Sequence, residues 1–128
     1  MKQMFIIFIF IFSSCKEETC ESARNRENEY YFNIISPSSY KDNFIQGPYF
    51  EITGINPETK DNNFFKDDAR WISAYSDSIE KGDTLYKKKG EDFFLIKKKN
   101  STIKIYTLKC NPNGGVDRKS PEIEVIKI

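Results

Sequence analysis

The chain has 128 residues, with 20 Lys+Arg against 19 Asp+Glu, three cysteines and no histidine. Hydrophobic residues make up 38% and aromatic residues 15%, a balance that suits one small globular domain and leaves no room for two. Without imidazole there is no Ser-His-Asp or Cys-His nucleophile, no His-ligated zinc, and no histidine acid or base working near neutral pH.

The first segment, Met1–Cys15, reads MKQMFIIFIFIFSSC. One basic residue (Lys2) precedes the apolar run Met4–Phe12, and two small residues, Ser13 and Ser14, follow it. A basic start, a short apolar centre and a small-residue exit form a secretory signal peptide over residues 1–14. A bilayer span is the competing reading, but nine helical residues cover only roughly 13 Å of a hydrocarbon core of about 30 Å. Ser13-Ser14-Cys15 resembles the lipobox of bacterial lipoproteins, with Phe12 where that family usually has Leu, Val or Ile. The following Lys16-Glu17-Glu18 is similar to the surface-export signal of lipoproteins from Bacteroidetes-type bacteria. The resemblance implies a lipidated Cys15 and an outer-membrane location facing periplasm or exterior. A single acyl chain holds only marginally, so stable residence takes a multiply acylated cysteine carrying palmitate-type chains.

Residues 15–28 are highly charged after that cysteine and are expected to form a flexible, solvated tether, leaving 29–128 as the β-rich domain. With Cys15 lipidated, Cys20 and Cys110 remain. An exported chain permits a disulfide between them, and the alternative is two free thiols. Two cysteines 90 positions apart without histidine are a poor metal-ligand set, so no metal and no cofactor are expected.

Tyr30–Ile35 is aromatic and β-branched and ends at Ser36-Pro37, which predicts a strand. Tyr40–Gln46 is a weaker candidate. Tyr49–Ile55 follows the Gly47-Pro48 break as a second strand, with Gly54 as a bulge candidate. Asn56–Asp68 is polar and is expected to be a long loop with Phe64 and Phe65 folded inward. Asp67–Gly82 is expected to hold a short strand, Arg70–Tyr75, and then a tight polar turn or single helical turn. The competing reading is a helix, because Trp71/Ile72, Tyr75 and Ile79 recur at helical spacing. Strands are predicted at Thr84–Lys87, Phe93–Lys98 and Ile103–Leu108. In the last of these Ile103, Ile105 and Thr107 share one face, with Lys104, Tyr106 and Leu108 on the other. Glu122–Ile128 alternates cleanly and reads as an edge strand. The fold class is therefore mainly β, a small antiparallel barrel or sandwich.

Asp77-Ser78-Ile79-Glu80-Lys81-Gly82-Asp83, continuing to Lys87, carries the pattern D-S-I-x-x-G-D-x-x-x-K. Over Trp71–Cys110 the chain resembles short lipoproteins of Bacteroidetes-type bacteria that have no assigned activity. The resemblance implies that the motif is a turn between β-strands, which is why a strand is preferred at Trp71. Gly82 is expected to supply a positive φ there, and Asp83 can bond back to the local backbone.

Charge is uneven. Cys15–Tyr86 has a net charge of −6 and Lys87–Cys110 of +6. Lysines interleaved with aromatics in the second stretch make Tyr86, Lys88, Phe93, Lys97 and Lys99 the candidate binding residues. Each Lys near an anionic surface contributes about 1 kcal/mol, screened by salt. The same lysines would also protect sheet edges. The adjacent acids Asp67-Asp68 and Glu91-Asp92 point to opposite faces when extended, which is unlike the convergent carboxylates of glycosidases. Asp61-Asn62-Asn63 with Asp67 lacks the spacing of a calcium loop. The chain is expected to be no enzyme but a lipid-anchored envelope binding module. Its partner would be a protein or an anionic glycan, and not nucleic acid. The rival expectation is an envelope inhibitor or immunity-type protein acting against a toxin or hydrolase.

Overall fold

A computed structural model describes residues 19–39, 50–67, 71–115, 117 and 123–127. The expected strand at Tyr40–Gln46 and the leader with Cys15 lie outside the described residues. Helix α1 (Cys20–Asn28) comes first and is followed by strands β1 (Phe32–Ile35), β2 (Phe50–Ile55), β3 (Asn62–Asp67), β4 (Thr84–Lys87), β5 (Phe93–Lys97), β6 (Ser101–Tyr106) and β7 (Ile123–Lys127). The strands form one antiparallel sheet in the order β3-β2-β1-β4-β5-β6-β7. The expectation of a mainly antiparallel β fold holds. The sheet is open rather than closed into a barrel, with β3 and β7 as its two edges.

Register follows from alternation. Phe32 faces Lys87, Ile34 faces Leu85, Leu85 faces Ile96, and Ile96 faces Ile103. Directly opposed residues share a face, so these side chains line the inner side together with Phe94 and Ile105. Phe50 and Ile52 of β2 join the same core, and Trp71, Ile72 and Ile79 cover it. Burying each large apolar side chain stabilises the fold by roughly 1.5–3 kcal/mol. Trp71 packs edge-on to Phe94 at 4.6 Å between ring centroids and donates from Nε1 to the Tyr106 carbonyl at 3.2 Å.

The β1–β2 junction is a narrow seam. Among the described residues, Ile35↔Ile55 is the one registered pair between these strands. A Cβ at Gly54 would lie 2.2 Å from the Ile35 carbonyl oxygen, so the glycine marks a close approach of two backbones and not a bulge. The β2–β3 hairpin then leans over the core, where Phe65 meets Tyr30 at 5.0 Å and Phe32 at 4.6 Å.

Three further expectations need correction. Asn56–Asp68 is not one long loop, because Asn62–Asp67 pairs along the whole of β2. The connection is tight instead: the Asn56 side chain accepts from the Glu58 and Thr59 amides, and Lys60 takes a positive φ of 65°. Phe65 turns inward as expected, but Phe64 is 62% exposed because it lies on the outer face of an edge strand. At Trp71 there is no strand: residues 71–72 form a turn leading into a 3-10 helix, Ser73–Ser78. The Asp67 carboxylate accepts from the Ile72 amide at 2.6 Å and starts that turn, and Trp71, Ile72 and Ile79 then reach the core together.

The third correction concerns the segment read as a solvated tether. Its residues 20–28 are the helix α1, N-capped by the Thr19 hydroxyl, which accepts from the Ser22 amide at 3.1 Å. Cys20 is bonded to Cys110, with Cα atoms 5.8 Å apart. At the other end of the helix, the Asn28 carbonyl accepts from the Gly90 amide at 2.7 Å. High charge and few apolar groups concealed a helix held by a cross-link and by backbone bonds rather than by an apolar stripe.

Candidate functional site

The outward face of β4, β5 and β6 is built by the residues that alternate with the core. Tyr86, Leu95, Lys104 and Glu124 form one cross-strand row, and Thr84, Lys97, Thr102 and Ile126 another. Phe93 stands opposite Tyr106 in a third. Long cations then lie over neighbouring rings. Lys97 Nζ sits 4.2 Å from the centroid of Tyr86, and Lys104 Nζ sits 4.1 Å from Phe93 and 4.9 Å from Tyr106. Such contacts contribute about 0.5–1 kcal/mol each at exposed sites and hold the lysine stems flat on the sheet. Hydrogen bonding with the Tyr106 side chain raises the Lys104 ammonium above its ordinary range. Tyr106 also bonds to Glu124 on β7, at 3.3 Å between oxygens.

Three of the five candidate residues, Tyr86, Phe93 and Lys97, therefore share this face. Lys88 and Lys99 do not join them. Lys88 follows β4 at one end of the strands and Lys99 lies in the β5–β6 turn at the other, a separation of roughly 16 Å for a five-residue strand. Lys104 and Tyr106 complete the face, and their alternation against Ile103 and Ile105 was the signal that could have nominated them.

At the β5–β6 turn the sheet ends in an open groove of about 680 Å³, lined by Glu80–Thr84 and Lys97–Ser101. Its floor is the G-D turn. Gly82 has a φ of +90°, and Asp83 Oδ2 accepts from the Glu80 amide at 2.9 Å and from Lys98 Nζ at 2.5 Å. Glu80 adds a second contact to Lys98 at 3.6 Å. Lys81, Lys97 and Lys99 are exposed on the groove walls.

The motif lysine, Lys87, has a different part. It is fully buried on the inner face, where its ammonium donates to the Asn28 carbonyl at 3.3 Å and the Lys88 carbonyl at 2.6 Å. Burial pushes its pKa down, while Glu91, Asp92, Glu29 and Glu27 oppose that shift. Lys87 thus ties β4 to the end of α1. In this motif Ile79 fills the core, Gly82 and Asp83 build a turn, and Lys87 joins two elements.

Glu91 and Asp92 lie in the β4–β5 turn, Asp67 is buried and caps the Trp71 turn, and Asp68 lies outside the described residues. No group of three Cys, Asp or Glu side chains suited to a metal ion occurs among the described residues. No helix among them is long and apolar enough to cross a membrane. Comparison with protein families, curated proteins and solved structures gave no match.

Proposed function

We propose that this chain is a lipid-anchored protein of the bacterial cell envelope that works as a binding module. The lysine-over-aromatic face of β4–β6 carries the reading. Lys97 on Tyr86, and Lys104 between Phe93 and Tyr106, hold cations on a half-buried aromatic floor at the solvent face. That combination suits an anionic glycan or an acidic protein surface, through charge attraction and apolar contact with rings. The anchor reading rests on the apolar leader ending in Ser13-Ser14-Cys15. The Cys20–Cys110 disulfide is consistent with it, since such bonds persist outside the cytoplasm.

The test uses the full chain expressed with its leader. Wild type should fractionate with the envelope and gain the mass of a diacylglyceryl group and acyl chains, whereas Cys15→Ala should remain an unlipidated precursor. A wild-type product in the cytosol that bears its first methionine and no lipid would overturn the anchor. Lys97→Glu combined with Lys104→Glu should reduce retention of purified envelope polysaccharide, and unchanged retention would remove the face from the reading.

A further inference from the structure

The groove at the β5–β6 turn and the anchored end of the domain are on opposite sides of the molecule, and this separation constrains the partner. Four residues lie between Cys15 and Cys20. A chain of that length spans at most roughly 18 Å when fully extended. Cys20 is fixed to Cys110, and α1 closes against Gly90 and Lys87. All of these contacts are at the end of the sheet where β4 stops and β5 starts. A lipid on Cys15 therefore holds that end at the bilayer by a short leash. The Gly82–Asp83 turn and the Lys97–Ser101 turn lie at the opposite end of the strands, roughly 16 Å away.

The groove's chemistry is polar throughout. Lys98 is occupied by Asp83 and Glu80, which leaves Lys81, Lys97 and Lys99 facing solvent beside Thr84, Asn100 and Ser101. No large apolar side chain lines it, so it has no seat for an acyl chain or for the apolar anchor of a peptide. Three ammonium groups next to hydroxyl and amide groups match an anionic polymer rich in hydroxyls.

We propose that this groove docks a phosphate-bearing glycan located beyond the anchoring bilayer, and that the bilayer's own headgroups are not its ligand. The proposal rests on the reading above, in which Cys15 is lipidated and the chain acts by binding.

The test reconstitutes the full lipidated protein in phosphatidylcholine vesicles and titrates it with phosphomannan, or with the same mannan after removal of its phosphates. Expected results are saturable binding of the phosphorylated polymer, weakening as salt rises, and no binding of the dephosphorylated one. Lys81→Glu with Lys99→Glu, both exposed and away from the core, should lower the affinity by about tenfold or more. Circular dichroism and thermal melting should match wild type. Replacing a third of the lipid with phosphatidylglycerol should leave phosphomannan binding in place, and its loss would make the bilayer the occupant and overturn the proposal. If the groove variant binds unchanged while Lys104→Glu loses affinity, the groove is refuted and the outer-face reading stands. If wild type does not bind phosphomannan at all, the glycan assignment fails as well.

Discussion

Two single residues show how closely local geometry and the inner face depend on each other. Gly54 sits where two backbones nearly touch, and a methyl group there would also come within 2.8 Å of the Ile34 side chain. Gly54→Ala should destabilise the fold by about 2–4 kcal/mol, read as a lower urea midpoint with an unchanged slope. A change under about 0.5 kcal/mol would mean that the seam yields easily. Lys87 poses the opposite problem, a charge inside the sheet. Its folded pKa is depressed, so at neutral pH both states are charged and the fold carries the full desolvation penalty. As pH rises past the folded pKa toward the ordinary value of 10.5, the native state sheds its proton first and that penalty is relieved. Wild type should therefore gain stability relative to Lys87→Met between neutral pH and about 10. Parallel urea midpoints across that range would refute the assignment.

At the scale of elements, α1 has little of its own to keep it helical. Only Cys20 and Glu27 are buried along it, and its sequence is otherwise polar. An isolated helix of nine residues is marginal in water, so the cross-link and the contacts at Asn28 and Glu27 determine its persistence. The Glu27 carboxylate accepts from the Leu108 amide at 3.3 Å, which ties the helix to the strand exit next to Cys110. Joining residues 90 positions apart stabilises the fold by about 4–5 kcal/mol in the chain-entropy description. Cys20→Ser should lower the melting temperature by roughly 15–20 °C without reductant, and wild type with reductant should melt at the same lower temperature. An equal deficit with and without reductant would show that the serine itself, and not the missing bond, causes the loss. At the far edge, β7 pairs with β6, and Ile123 and Val125 are 50% and 56% exposed on the side that is buried elsewhere.

Across the whole molecule, the sequence was most readable where alternation and breakers agreed. Glu122–Ile128 and Ile103–Leu108 showed their period of two, and β4 through β6 followed with bounds within two residues. Strand β3 was hidden because it carries polar residues on both faces, with Asn63 beside Phe65 on the inner one, so Asn62, Asn63 and Lys66 read as loop composition. Its turn also uses Lys60 at positive φ, where glycine or asparagine would have signalled a hairpin. The 3-10 helix at Ser73 was legible in the spacing of Trp71, Tyr75 and Ile79, but the likeness of the following turn to an inter-strand turn outweighed it. For the site, the Lys-aromatic stretch was visible from composition. Which lysines share a face was not, because that depends on register, and Lys87 cannot be told from Lys88 until β4 is paired.

The single Ile35↔Ile55 link has a mechanical meaning for the folded chain. Neighbouring strands elsewhere are joined by continuous ladders, whereas the β2–β3 hairpin is retained chiefly by Phe50, Ile52 and Phe65 pressing on β1. Side-chain packing is lost together once a small gap opens, while a ladder can fray one rung at a time. The hold of the hairpin on the sheet therefore depends more on its inward side chains than on backbone pairing, with Gly54 at the point where the two backbones come closest.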